Sequence, residues 1–342
     1  MSHYSFIKFC SSLIIWLPVL MLVACSKPGN SGPDAVGDKA LSVSTFAGSG
    51  KVVYGGQDGS ATTAAFFAPR DLIIDVSGNV IVNDYGDYKL RKITSDGDVS
   101  TITATSNDAA FTSSPSFGVA MDTDGNIFTT KNNQIFKIAG NGTVSVYAGK
   151  PESGFANGSV QNAVFNGPGA LTFDKSGNLY VVAQNLYNVP MIRKITLAGI
   201  VSTYAGSENT SNTDPARLRG VTCMAFGSSG NLYLCDEGGK VWKVSQSGAL
   251  SVLTDFTGER VPWGIAVDDK ENIYITDGGN GIFEIVKITQ DGKAAPILAT
   301  YNVGKNPVVN FNGPEGIAID KTGKILYIAD TYNNIIRKIV LN

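Results

Sequence analysis

The feature that most constrains the fold is one sequence unit that occurs six times after residue 41. Each copy has an apolar segment, a tight turn and a second apolar segment, as in Ile265–Asp268 followed by Asn272–Asp277. Successive copies lie 41 to 53 residues apart. Such a period indicates a solenoid or a propeller, because one unit is too small to bury its own apolar face.

Each copy supplies four predicted β-strands. The turn after the first strand usually carries Gly-Asn, which tolerates the positive φ of a tight hairpin. The third strand is Ile336–Ile339 in the last copy, and Val201–Tyr204 is a typical fourth strand. Four antiparallel strands repeated around an axis form a propeller blade. The sequence therefore predicts an all-β fold, a six-bladed β-propeller of four-stranded antiparallel blades over residues 41–342.

The two ends of this region predict how the ring closes. The sixth copy stops after its third strand, at Asn342. A segment that matches the missing fourth strand, Val43–Gly48, stands at the start of the region and resembles Val144–Gly149. We expect this N-terminal strand to complete the last blade, because a closed ring leaves no exposed sheet edge.

The repeated unit resembles the NHL repeat. The sixth copy carries most of the resemblance, in Phe311–Ala318 and Ala329–Ile339. Two copies depart from the family pattern: Ser116 and Val221 stand where it has Pro, and Gly227 replaces the Asp of the turn. The resemblance implies a β-propeller whose recurring residues build the blades. Function is then expected where the copies differ.

The first 40 residues read as an export segment. An apolar stretch from Phe9 to Ala24 is short for a membrane-spanning helix and suits a secretory signal over residues 1–24. It ends Leu-Val-Ala-Cys, which resembles the lipobox of bacterial lipoproteins. This pattern predicts lipidation at Cys25 and a polar tether over residues 25–40. Ser26 stands where some bacteria place an Asp that retains lipoproteins in the inner membrane, so we expect a cell-envelope protein at the outer membrane. An ordinary cleaved signal and an uncleaved anchor are the alternatives.

Composition excludes several functions. The net charge is −2 without a long run of either sign, so we expect no nucleic-acid partner. The one His is His3, in the signal segment, so the mature chain has no His base and no His-ligated zinc. We predict no catalytic residue, no cofactor and no metal. The alternative is a hydrolase or lyase of the lactonase type, whose Ca²⁺ needs only oxygen ligands.

Residues near the central axis are the candidate binding site. In each copy, the residue two positions before the core of the first strand is expected near one mouth of the axial channel. These six mouth residues vary widely while their neighbours repeat: Arg70, Phe117, Gly169, Thr222, Trp263 and Glu315. Further polar candidates on this face are Asp84, Tyr85, Asp236, Glu237, Asp277 and Asn280.

Two interpretations of the mouth residues stay open. Arg70, Phe117, Trp263 and Glu315 combine aromatic rings with one charge of each sign, which suits a ligand-binding site for a protein, peptide or glycan. Alternatively, the aromatic side chains plug the channel and Arg70 pairs with Glu315 for structural reasons. The predicted function is thus a lipid-anchored binding scaffold rather than an enzyme, or a structural envelope protein without a specific ligand.

Two cysteines remain in the mature chain. Cys223 and Cys235 lie symmetrically about the turn of the fourth copy, so we expect them opposite each other on paired strands. In an oxidising compartment they either form a disulfide or stay as two free thiols.

Overall fold

The computed structural model describes residues 41–106, 111, 116–206, 217–278, 283–299 and 310–341. The predicted signal segment, Cys25 and the tether therefore lie outside the described residues. Within the described ranges, no helix is long and apolar enough to span a membrane.

The described chain is almost entirely β-structure, with two single-turn 3-10 helices at Tyr85–Asp87 and Thr331–Asn333. In chain order the strands are β1 (Ser42–Ala47), β2 (Pro69–Ile74), β3 (Val80–Asp84), β4 (Lys89–Ile93), β5 (Val99–Thr101), β6 (Val119–Met121), β7 (Ile127–Lys131), β8 (Gln134–Ile138), β9 (Val144–Ala148), β10 (Gly158–Ser159), β11 (Leu171–Phe173), β12 (Leu179–Gln184), β13 (Pro190–Ile195), β14 (Ile200–Ala205), β15 (Val221–Phe226), β16 (Leu232–Asp236), β17 (Lys240–Val244), β18 (Leu250–Asp255), β19 (Pro262–Val267), β20 (Ile273–Asp277), β21 (Glu284–Ile288), β22 (Ala294–Ala299), β23 (Pro314–Ile319), β24 (Ile325–Asp330) and β25 (Ile335–Val340).

These strands form six antiparallel sheets, which are the six blades of a β-propeller. Blades 1 and 2 are β2-β3-β4-β5 and β6-β7-β8-β9, and blades 4 and 5 are β15-β16-β17-β18 and β19-β20-β21-β22. Blade 3 has the order β11-β12-β13-β14, with the two-residue β10 added at its outer edge. The first strands, β2, β6, β11, β15, β19 and β23, contact one another in a closed ring around the axis. The predicted fold is confirmed.

The N-terminal strand closes the ring as predicted. Strand β1 pairs antiparallel with β25, so blade 6 has the order β23-β24-β25-β1. Ser42 lies opposite Val340, and Val43 lies opposite Ile339. The two ends of the propeller thus stabilise each other through one shared sheet.

The apolar core is divided among the spaces between neighbouring blades. One cluster joins Phe46, Ala329 and Ile336 of blade 6 to Leu72 and Val82 of blade 1. The other clusters lie likewise between successive blades. Burial of this apolar surface on both faces of each sheet is what holds the blades in a ring.

The recurring Asp of the first turn caps its hairpin, as expected from an Asx-type bond. Asp75 Oδ1 accepts hydrogen bonds from the backbone N–H groups of Ser77 at 2.9 Å and Asn79 at 2.8 Å. The corresponding aspartates bond the backbone of their own turns in the same manner, at Asp122, Asp174, Asp268 and Asp320. These carboxylates are therefore structural.

Candidate ligand-binding site at the channel mouth

The backbone explains why the predicted residues reach the mouth. The pairing between the first and second strands slips by a residue next to Arg70, Thr222 and Trp263, and a larger irregularity contains Glu315. Such a β-bulge re-aims the side chain of the extra residue. The two remaining mouth residues precede the strands β6 and β11. All six therefore surround the axis at the same end of the ring.

Hydrogen bonds between blades hold this end in place. Thr276 Oγ1 donates to the carbonyl oxygen of Glu315 at 2.5 Å, and Thr130 Oγ1 donates to that of Gly169 at 2.9 Å. Thr222 Oγ1 donates to the carbonyl oxygen of Pro262 at 2.8 Å. Since these bonds join consecutive blades, the mouth residues are mounted on a rigid frame. The hydroxyl of Thr222 is therefore engaged in a bond between blades 4 and 5.

Arg70 is the centre of the site. Its Nε donates to Glu315 Oε2 at 2.7 Å. Its guanidinium carbon lies 4.9 Å from the ring centroid of Tyr85 and 5.9 Å from that of Trp263. The Phe117 ring stands edge-on to Tyr85, with 6.1 Å between centroids. Arg70, Phe117, Trp263, Glu315 and Tyr85 thus form one continuous cluster, which spans blades 5, 6, 1 and 2.

The cluster borders an open cavity instead of plugging the channel. The cavity has a volume of about 520 Å³ and is lined by the first strands of all six blades. Phe117 remains 45% exposed, and the Arg70 side chain 31% exposed. At the mouth, blades 3 and 4 contribute Gly169, Thr222 and the exposed Glu237 to the lining, and none of these is an aromatic residue. A cavity of this size is typical of small-molecule sites.

Asp71 belongs to the site although the sequence did not single it out. It lines the cavity beside Arg70, and its carboxylate accepts hydrogen bonds from the backbone N–H of Leu72 at 2.9 Å and of Val119 at 3.0 Å. Burial raises the pKa of Asp71 to about 6. Burial also raises the pKa of Glu315, while the positive charge of Arg70 lowers it. In the sequence, the one feature that pointed to Asp71 was its position directly after Arg70, a mouth residue that varies between the copies.

These pKa shifts predict a pH-dependent stability. A carboxyl group whose pKa is raised in the folded state keeps its proton after the unfolded chain has lost it, so stability falls as the pH rises from about 4 to about 6. Arg70→Met removes the charge that opposes both shifts. We expect the melting temperature of Arg70→Met to fall more steeply than that of wild type between pH 4 and pH 8, measured by circular dichroism. Parallel curves would contradict the prediction.

Three other polar candidates have their carboxylates engaged by neighbouring side chains of the protein. Asp84 Oδ2 pairs with Arg91 Nη1 at 3.0 Å, Asp277 Oδ2 pairs with Arg260 Nη1 at 3.2 Å, and all four groups are at least partly buried. Asp236, also buried, accepts a hydrogen bond from the indole Nε1 of Trp242 at 2.8 Å. None of the three lines the cavity, because each carboxylate is bound by a partner of the protein itself. Glu237 is exposed and lines the cavity, and Asn280 lies outside the described residues.

Cys223 and Cys235 lie directly opposite each other on β15 and β16. Both are free thiols; Cys223 lines the cavity and Cys235 is fully buried. Burial raises the pKa of the Cys235 thiol well above its usual value, so little of it is present as the thiolate that reacts with an oxidant.

Oxidation of this pair stays a prediction. Protein prepared under oxidising conditions is expected to have an intact mass about 2 Da below that of the dithiol, because a disulfide forms with loss of both thiol hydrogens. It is also expected to resist alkylation until it is reduced. Cys223→Ser serves as the matched control. Two thiols that alkylate without reductant would rule the bond out.

The residues at the mouth do not fit the Ca²⁺ of the alternative function. Glu315 is bound by Arg70 and Asp71 by two backbone N–H groups, and the guanidinium of Arg70 would repel a cation at this place. Within the described ranges, no three His, Cys, Asp or Glu side chains are grouped so as to hold a metal ion.

Comparison with known proteins places the chain among β-propellers. No family model matches it. An auxiliary nutrient binding protein from Bacteroides thetaiotaomicron superimposes with a TM-score of 0.64 at 15% identity, covering 88% of this chain and 76% of that one. A gluconolactonase from Xanthomonas campestris gives a TM-score of 0.60 at 13% identity, covering 81% and 88%. At these identities the likeness shows the fold alone.

Sequence comparison finds a larger animal protein. Teneurin-3 from Mus musculus is 24% identical over 278 residues, which are 69% of this chain and 10% of that protein. The chain thus spans about a tenth of the length of the curated relatives it matches.

Proposed function

We propose that this chain is a lipid-anchored propeller of the NHL type that binds a ligand at the channel mouth. The observation that carries the proposal is the cluster of Arg70, Glu315, Phe117 and Trp263 beside an open cavity. The cluster occupies the positions at which the six copies differ, and the recurring residues are engaged in building blades. Binding proteins of the same fold, named for nutrients, are among the solved structures that resemble the chain.

Arg70 supplies the physical basis for binding. Its guanidinium is held between two rings and a carboxylate, so little conformational entropy is lost when a ligand contacts it. Aromatic and Arg side chains are also the residues that dominate binding energy at most sites. We propose that no metal ion takes part in binding, and we therefore expect EDTA to leave binding unchanged.

The test of binding is equilibrium dialysis against two defined mixtures, one of tripeptides and one of hexasaccharides, with retained compounds identified by mass spectrometry. Wild type is expected to retain at least one compound. The double variant Phe117→Ala/Trp263→Ala is expected to lose it, while Lys175→Ala, on a turn at the opposite end of the propeller, keeps it. Failure of wild type to retain any compound, or equal retention by the double variant, would overturn the proposal.

We propose further that Cys25 carries the lipid that anchors the chain at the outer membrane. The support is the lipobox-like end of the signal segment and the polar tether that follows it. Wild type expressed in a Gram-negative host is expected to partition into detergent and to sediment with outer-membrane vesicles. Cys25→Ala is expected in the aqueous phase; identical partitioning of the two proteins would contradict the anchor.

A further inference from the structure

From the chemistry of the mouth, we infer that the ligand is an uncharged saccharide. The inference rests on the proposed binding function and names its ligand class. It uses three properties of the described residues: the charges around the cavity, the hydrogen-bonding groups left at the Arg70–Glu315 pair, and the exposed aromatic rings.

The charges at the mouth disfavour an ionic ligand of either sign. Arg70 faces Glu315 directly, and Asp71 and Glu237 also line the cavity. Carboxylates thus outnumber the cation, and a carboxylate or phosphate on the ligand would be repelled. A cationic ligand is disfavoured as well, because the guanidinium of Arg70 already occupies the place between the aromatic rings where a cation would be attracted.

The ion pair leaves donors and acceptors side by side. Within the described part of the chain, the bond from Arg70 Nε to Glu315 Oε2 is the one hydrogen bond that either side chain makes. The two terminal nitrogens of Arg70 remain as donors, and Glu315 Oε1 remains as an acceptor. Each hydroxyl group of a sugar both donates and accepts a hydrogen bond. Two neighbouring hydroxyls of a sugar can therefore bind the Arg70 donors and the Glu315 acceptor at the same time. A ligand group that only donates or only accepts can bind one of the two.

Aromatic rings flank the same groups. Phe117 is 45% exposed and Trp263 is half-buried, and both lie within the cluster around Arg70. The C–H face of a pyranose ring is apolar, so it can pack on such a ring while its hydroxyls reach Arg70 and Glu315. On the opposite side of the mouth the lining residues Gly169, Thr222 and Glu237 carry no aromatic ring, and the exposed Glu237 carboxylate offers further acceptors to the hydroxyls of a longer glycan.

The test measures binding of named sugars by isothermal titration calorimetry at pH 7. The probes are uncharged hexasaccharides of glucose, mannose and xylose, with hexagalacturonate as the charged control. At least one uncharged probe is expected to bind, with an affinity that stays within twofold between 50 mM and 500 mM NaCl, since no ligand charge is screened. Trp263→Ala is expected to weaken that binding at least tenfold, and Arg70→Lys, which keeps the charge but loses the planar fork, by a similar factor.

Folding of the variants is checked by their melting temperatures, and Lys175→Ala serves as the control with unchanged affinity. Three outcomes would overturn the inference: none of the uncharged sugars binds, binding is unaffected by Trp263→Ala, or hexagalacturonate binds more tightly than every uncharged probe. If a tripeptide is retained in dialysis and lost in the Phe117→Ala/Trp263→Ala variant while no sugar binds, the saccharide inference fails and the proposed binding function stands.

Discussion

Replacement of Arg91 by Met is expected to lower the free energy of unfolding by about 3–5 kcal/mol. The guanidinium is fully buried and donates to Asp84 Oδ2 at 3.0 Å, to Asp58 Oδ1 at 2.8 Å and to the carbonyl oxygen of Ala65 at 3.0 Å. Asp84 is itself completely buried. The variant leaves its charge without a partner, and this is the main cost.

A matched control is available in blade 3. Arg193 is as deeply buried as Arg91, but its terminal nitrogens donate to the carbonyl oxygens of Ala156 and Val164 and to the side-chain oxygen of Asn157. No carboxylate is orphaned when it is replaced. Arg193→Met is therefore expected to cost about 1–3 kcal/mol, the usual penalty for buried acceptors left without donors. Urea unfolding of both variants measures the difference.

The pH dependence of the cost distinguishes an unpaired buried carboxylate from buried acceptors that have lost their donors. Burial already raises the pKa of Asp84 to about 7, and Arg91 opposes that shift. Without Arg91 the carboxyl group takes up a proton more readily, so the cost of Arg91→Met should be smaller at pH 5 than at pH 8. Asp84→Asn should recover part of the loss in the Arg91→Met background. Equal costs for the two arginines, or a cost independent of pH, would contradict this account.

The contacts of Arg91 also fix a long loop, residues 49–66, which precedes strand β2. Arg91 donates to the carbonyl oxygens of Gln57 and Ala65, at the two sides of the loop 49–66. The loop is thus fixed to blade 1 by a buried cation. None of its residues lines the cavity, so the loop supports the segment that leads to Arg70.

The repeat made most of the fold predictable. Six copies predicted six blades, and the displaced fourth strand predicted the pairing of β1 with β25, because both depend on residues that follow each other along the chain. The mouth residues were found for the opposite reason: they vary where their neighbours repeat. The pairing of Asp84 with Arg91 was not foreseen, although Arg91 follows seven residues later and the pair Asp330–Arg337 recurs at that spacing in blade 6.

Contacts between blades could not be predicted from the sequence. Asp71 accepts a hydrogen bond from the backbone of Val119, and Thr276 binds the carbonyl of Glu315, across separations of 48 and 39 residues. A single sequence carries no local signal for such pairs. The bulges that aim Arg70 and Trp263 into the mouth are likewise set by how the first two strands pair in three dimensions.

The second large prediction concerns Glu271 of blade 5. This residue contacts the turn of blade 4, which lacks the Asp that recurs in the other turns. Blade 4 has Gly227 where the other blades have the turn Asp. Blade 5 has Glu271 where the other five turns have Gly. Glu271 has a φ of 60°, which is unfavourable for a residue with a side chain. Its carboxylate reaches blade 4 and accepts hydrogen bonds from Ser229 N at 2.7 Å and Tyr233 OH at 2.6 Å. The neighbouring blade thus supplies the missing carboxylate.

The two positions are therefore expected to be strongly coupled. Glu271→Gly relieves the left-handed backbone but leaves Ser229 N and the buried Tyr233 hydroxyl without an acceptor, at a net cost of about 2–3 kcal/mol. Gly227→Asp alone is also destabilising, since its Cβ would lie 2.5 Å from the Glu271 carboxylate oxygens and the two negative charges would repel each other at close range.

The double variant restores in blade 4 the turn that the other blades already use, so its free energy of unfolding should return to within about 1 kcal/mol of wild type. Urea unfolding of the four proteins in the cycle measures the coupling. If the two single effects simply add in the double variant, Glu271 does not stand in for the missing aspartate.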